Sequence, residues 1–159
     1  MQHIDLKEIF TNKEYLNQEV TVCGWVRTSR NSKTMAFLAL NDGTTLPHMQ
    51  IVIDKATGIA FEEAMPVGTS VKVIGTVVEG QNGGVEINAK EITVLGKCPA
   101  EYPLQKKRHT LEFLRTMPHL RGRTNTFNAV MRVRSVLAEA ISDSTKVFYN
   151  KQGEKHNMS

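Results

Sequence analysis

Five side chains between Val20 and Asp54 have the chemistry to hold unpaired nucleotides: Arg27, Arg30, Lys33, Phe37 and Gln50. They stand in the run VTVCGWVRTSRNSKTMAFLALNDGTTLPHMQIVID, among apolar residues spaced as in strands. Cations neutralise phosphates, a ring offers its face to a base, and an amide meets a base edge with both a donor and an acceptor. Each side chain also has a plainer use. Phe37 in an apolar strand can be core, Gln50 can simply face solvent, and Arg30 beside Asn31 and Ser32 can be loop charge. It is the set of them on one small sheet that points to nucleic acid.

A second basic set lies further on. From Glu101 to Arg134 the only acids are Glu101 and Glu112, against Lys106, Lys107, Arg108, Arg115, Arg121, Arg123, Arg132 and Arg134. The formal net charge of +4 is modest, so this clustering says more than the total. A phosphate partner and a solvated basic face both fit it.

Other chemistries find no footing. Cys23 and Cys98 are far apart without CxxC spacing, and the five histidines follow no ligand pattern. No Ser-His-Asp arrangement stands out, and Gly83-Gly84 lies between two strand-like runs rather than before a helix. No catalytic residue and no metal ligand is therefore nominated. No apolar run approaches the roughly 20 residues that span a bilayer, so no membrane partner is expected. The start, MQHIDLKEIF, lacks a secretory pattern, and with so few cysteines a reducing cytoplasm is the expected location.

The elements that must position the candidates follow from period and punctuation. Ile4 to Phe10 reads as a short helical turn opened by Asp5. Strands are expected from Val20, from Met35 to Leu40 and from Met49 to Asp54, with Gly24 bending the first. A short helix follows over Thr57 to Met65, then strands over Ser70 to Glu79, bent at Gly75, and over Val85 to Leu95. Three strands, one short helix and two strands is the order of an OB-fold, a five-stranded Greek-key barrel. Pro99 and Pro103 make Lys97 to Leu104 an extended spacer. Thr110 to Thr116 makes two helical turns, and the caps Thr124-Asn125-Thr126 open a helix to about Ile141 with the apolar stripe Phe127, Val130, Val133, Leu137 and Ile141.

Two segments carry a family likeness. EVTVCGWVRTSRNSKTMAFLALNDGT resembles the first strands of an asparaginyl-tRNA synthetase OB domain, and YPLQKKRHTLEFLRTMPHLRGRTNTFNAVMRVRSVLAEAI resembles the hinge and opening helices of its catalytic domain. KKRHTLEFLR followed by HLRGRTNTF favours the asparagine branch over the aspartate and lysine branches. The resemblance implies that the barrel reads the anticodon of an asparagine-accepting tRNA. Arg30 would contact the nucleotides, Phe37 would stack on the central uridine and Gln50 would hydrogen-bond that base, with Arg27 and Lys33 nearby and Lys106, Lys107 and Arg108 on the tRNA backbone at the hinge. It also implies ATP and Mg²⁺ as cofactors of the full-length enzyme, with none for this chain.

On this reading the chain divides into an OB-fold anticodon-binding domain over 1–96, a hinge over 97–123, a truncated first helix of the catalytic domain over 124–141 and a stretch over 142–159 expected to be disordered. That helix resembles the first half of a dimer-interface motif, so Phe127, Val130, Val133 and Leu137 are expected at an interface, either self-associating or pairing with a full-length synthetase. SDSTKVFYNKQGEKHNMS matches nothing in the family, and the later arginine-bearing motifs that hold ATP and the adenylate are not found. The chain alone is therefore expected to be inactive in charging. A free-standing OB-type binder of RNA or single-stranded nucleic acid, and an interaction module acting on the intact enzyme, are the alternatives.

Overall fold

Residues that alternate between inward and outward positions form the expected strands, and they close into a barrel. The computed structural model of the chain describes residues 3–80, 83–99, 101–105 and 107–152, with 145–152 described by backbone alone. The strands are β1 (Glu19–Asn31), β2 (Met35–Asn41), β3 (Met49–Asp54), β4 (Ser70–Glu79) and β5 (Val85–Gly96). They follow the order β1-β2-β3-β5-β4 around a closed barrel. Every pairing is antiparallel except β3 with β5, the parallel seam that completes the closure. Closure gives every strand a partner on each side over part of its length.

The inward residues Val22, Leu38, Leu40, Ile51, Val73 and Ile87 are fully buried and share one core. A short helix, α1 (Leu6–Thr11), adds Leu6 and Ile9 to that core. Asp5, expected to open this helix, makes no side-chain cap bond. The cap comes from the β2–β3 loop instead: Asp42 Oδ2 accepts from the Leu6 N–H at 2.7 Å, and Thr44 Oγ1 accepts from the Lys7 N–H at 3.1 Å.

The bends correct one expectation. Gly24 does not break the strand register; that break lies between Val26 and Thr28, where Arg27 falls in a bulge. Gly24 serves close approach, since a Cβ there would lie 2.9 Å from the Asn41 carbonyl oxygen. The expected bend at Gly75 does coincide with a register shift, and a Cβ there would run into the Asn88 carbonyl.

The helix expected over Thr57 to Met65 does not form. Two 3-10 turns, Lys55–Thr57 and Glu62–Ala64, fill the β3–β4 connection. Gly58 ends the first turn in the left-handed region at φ 70°, and buried Phe61 and Ala64 fix the second against the core.

The chain divides into two compact units, Met1–His109 and Thr110–Ser159, and the division falls inside the stretch 97–123 expected as a hinge. The second unit holds α2 (Leu111–Arg115), α3 (Pro118–Arg121) and α4 (Asn125–Gln152). Thr110 Oγ1 caps α2 by accepting from the Phe113 N–H, and proline stands at the start of α3. The long helix runs past Ile141 to Gln152, through residues expected to be disordered. No proline or glycine interrupts the sequence between Thr124 and Gly153, so nothing in it stops the helix earlier. The remainder of that expectation, 153–159, lies outside the described residues. No helix among them is long and apolar enough to cross a membrane.

Candidate nucleic-acid interface

Strand pairing brings the candidates together from distant parts of the sequence. Arg30 on β1 stands opposite Phe37 on β2, Phe37 opposite Val52 on β3, and Val52 opposite Asn88 on β5. A second row runs parallel to it through Thr28, Ala39, Gln50 and Glu86. Members of adjacent rows are two residues apart along each strand, about 7 Å at ordinary strand rise. These residues point away from the core, because their neighbours Leu38, Ile51 and Ile87 point into it.

Phe37 is half-buried and lies outside the core cluster. The Arg30 guanidinium carbon sits 4.6 Å from the centre of its ring, a cation–π contact. Val52 is 8% exposed yet also lies outside the core cluster, so its cover comes from the outer face. Phe37 and Val52 together form a small apolar floor on the outside of the barrel.

Polar groups border this floor. Gln50 Nε2 donates to Glu86 Oε1 at 3.0 Å, which orients the amide and leaves Gln50 Oε1 and one N–H for a ligand. Glu86 escaped the sequence reading. Alternation along β5 marks it as outward, but its neighbour Gln50 is known only once the parallel β3–β5 seam is known.

Arg27, in the β1 bulge, sends its positive charge toward His48 at the start of β3. Burial, together with that charge, holds the His48 imidazole below the usual histidine pKa. Asn41 Nδ2 lies 3.2 Å from His48 Nδ1 and also donates to the carbonyls of Thr45 and Pro47. Asn41 Oδ1 accepts from the Gly43 N–H, so the nitrogen end of the amide faces the His48 ring.

Lys33 is exposed in the turn between β1 and β2. Lys107 and Arg108 are exposed in the irregular stretch after β5, and neither makes a side-chain hydrogen bond or ion pair among the described residues. Lys106 lies outside the described residues. On α4, Phe127 is half-buried beneath Arg121, whose guanidinium carbon lies 5.0 Å from the ring centre. Val130, Val133 and Leu137 are exposed, the last two at 67% and 57%. Among the described residues, no three His, Cys, Asp or Glu side chains gather to hold a metal ion.

Residues 20–95 match the family model of the OB-fold nucleic acid binding domain. The asparagine–tRNA ligase of Microcystis aeruginosa is 47% identical over 141 residues, covering 86% of this chain and 31% of that protein. That of Cytophaga hutchinsonii is 42% identical over 161 residues, covering 96% of this chain and 33% of the other. The crystal structure of asparaginyl-tRNA synthetase from Pyrococcus horikoshii superposes with a TM-score of 0.77 at 25% identity, covering 96% of this chain and 36% of that one. The chain thus spans about a third of the length of the relatives it matches.

Proposed function

The chain carries the N-terminal OB-fold anticodon-binding domain of the asparaginyl-tRNA synthetases, and on that premise we propose that the outer face of β1, β2, β3 and β5 grips the anticodon loop of an asparagine-accepting tRNA. The observation that carries this reading is the convergence of Arg30, Phe37 and Gln50 on three adjacent strands, around the apolar pair Phe37 and Val52. Phe37 is the stacking face for the central uridine, and Gln50, held by Glu86, meets that base's edge. Arg30, Arg27 and Lys33 draw in the flanking phosphates, and Lys106, Lys107 and Arg108 extend the positive track along the RNA backbone.

ATP and Mg²⁺ belong, in this reading, to the charging reaction of the full-length relatives, and the barrel itself needs no cofactor. The exposed stripe of Val130, Val133 and Leu137 on α4 pairs with a second copy or with a full-length synthetase. The cytoplasm, where tRNA is charged, is the place for such a chain.

Fluorescence anisotropy with the full chain and labelled anticodon stem-loops tests the reading. The asparagine stem-loop should bind more tightly than stem-loops carrying other anticodons, and binding should weaken as salt rises. Equal affinity for every stem-loop and for single-stranded DNA would replace it with a general single-strand binder.

A further inference from the structure

The anticodon reading gives roles to Arg30 and Phe37 in one row and to Gln50 in the next, but leaves Asn88, in the row of Phe37, unused. It stands opposite Val52 on the parallel β3–β5 seam, and its neighbours Ile87 and Ala89 point into the core, so its side chain faces the outer surface beside the apolar floor. Asn88 is exposed, and its amide makes no hydrogen bond among the described residues. That contrasts with Gln50, whose amide gives one proton to Glu86, and with Asn41, whose amide is used inside its own loop.

We infer that Asn88 is a second base-reading residue, which meets the edge of the nucleotide next to the one stacked on Phe37. The inference rests on the nucleic-acid reading of this face and adds a position to it. Two strand spacings separate Phe37 from Asn88, about 10 Å. A single pyrimidine lying on Phe37 does not cover that distance. The neighbouring nucleotide of a splayed loop does, because unstacked bases in single-stranded RNA spread apart to be read one by one. Val52 provides the apolar surface beneath that second base. Asn88 provides an adjacent donor and acceptor, the pairing that an amide makes with a base edge. Glu86, two residues away on the same strand, accepts hydrogen bonds only, so the amide of Asn88 is the group on the described part of β5 with both polarities beside this floor.

The test measures the full chain against a series of asparagine anticodon stem-loops in which each loop nucleotide is replaced in turn by the other bases. Asn88→Ala should lower affinity about three- to tenfold, the scale of one or two hydrogen bonds. It should flatten base preference at one loop position adjacent to the centre, while Gln50→Ala flattens preference at the centre itself. Asn88→Asp keeps the shape and removes the donor, and should change which base is preferred at that adjacent position. Asn88 is exposed, so both variants should melt like the wild type, which separates loss of reading from loss of folding. If Asn88→Ala stays within about twofold of wild type at every loop position while Phe37→Ala loses binding, the inference is overturned and the anticodon reading stands. If wild type itself does not prefer the asparagine stem-loop, the anticodon reading fails and this inference fails with it.

Discussion

The Arg30 guanidinium covers one face of the Phe37 ring at 4.6 Å, from the directly opposed position on the neighbouring strand. A ring committed to the barrel core would have no such face to offer. The arrangement separates two effects that a truncation could otherwise confuse. Phe37→Ala should weaken stem-loop binding by about 1–3 kcal/mol, the usual loss of a base-stacking platform. Leu38→Ala, one residue along and fully buried, should instead cost about 2–5 kcal/mol of folding stability. Thermal melting beside anisotropy distinguishes the two. A Phe37→Ala protein that melts as early as Leu38→Ala would return Phe37 to the core.

Gln50 and Arg30 should fail in different ways. Gln50→Ala should chiefly reduce preference for uridine at the central loop position and leave the salt dependence unchanged, because edge contacts specify and phosphate contacts position. Arg30→Ala should weaken binding to every stem-loop alike and reduce the slope of log affinity against log salt by about 1. The measurement is a salt titration of each variant against stem-loops differing only in the central base. A change in base preference from Arg30→Ala, with the slope intact, would reverse the two assignments.

A long-range cap ties α1 to the β2–β3 loop. Asp42 Oδ2 accepts from the Leu6 N–H, while its Oδ1 accepts from both the backbone N–H and the hydroxyl of Thr44. Asp42→Ala leaves the Leu6 N–H of the first turn and the Thr44 N–H of the loop without this acceptor and should cost about 0.5–2 kcal/mol, with Asn in its place losing less. Chemical denaturation reads this directly. RNA affinity should be unaffected, because α1 contributes none of the side chains that border the Phe37–Val52 floor.

Period-two alternation made the five strands legible, and the turn residues set their boundaries to within a few positions. Arg30, Phe37 and Gln50 could be chosen because strands adjacent in sequence are also adjacent in this barrel. What escaped depends on partners far apart in the chain. The parallel β3–β5 seam brings Glu86 to Gln50 across 36 positions, and nothing local announces it. The same holds for Asp42 capping Leu6 in place of the nearer Asp5. In the β3–β4 connection, helix-compatible composition met Gly58 at positive φ, and short turns resulted. After Ile141 the loss of an apolar stripe suggested disorder, but polar residues without a breaker extend an existing helix at little cost.

His48 should make the barrel sensitive to mild acid. Its folded-state pKa is depressed by burial and by Arg27, so the unfolded chain takes up the proton first, near the ordinary value of about 6.5. The stability this contributes is complete above that value and is lost as pH falls through the lower folded pKa. The melting temperature should therefore drop as pH falls below about 7, and His48→Gln should show a shallower drop. An identical slope in the two proteins would assign the acid sensitivity elsewhere.

The α4 stripe should drive association. Val130, Val133, Leu137 and Ile141 are all more than half exposed and recur at spacings of three and four, which puts them along one side of the helix. Fully burying such a side chain is worth about 1.5–3 kcal/mol relative to leaving it in water, so covering several of them repays the entropy lost on pairing only as concentration rises. Sedimentation velocity across a range of concentrations should show a shift from one copy toward larger species. Val133→Glu together with Leu137→Lys should abolish the shift while leaving stem-loop affinity unchanged, since neither residue belongs to the barrel. The double variant also guards against a general effect of charge, because the two substitutions cancel in sign. A strictly monomeric wild type at the highest concentration reached would show that the exposed stripe is not sufficient for self-pairing. Co-purification of the full-length synthetase with the wild-type chain, and its loss with the double variant, would then identify that enzyme as the partner.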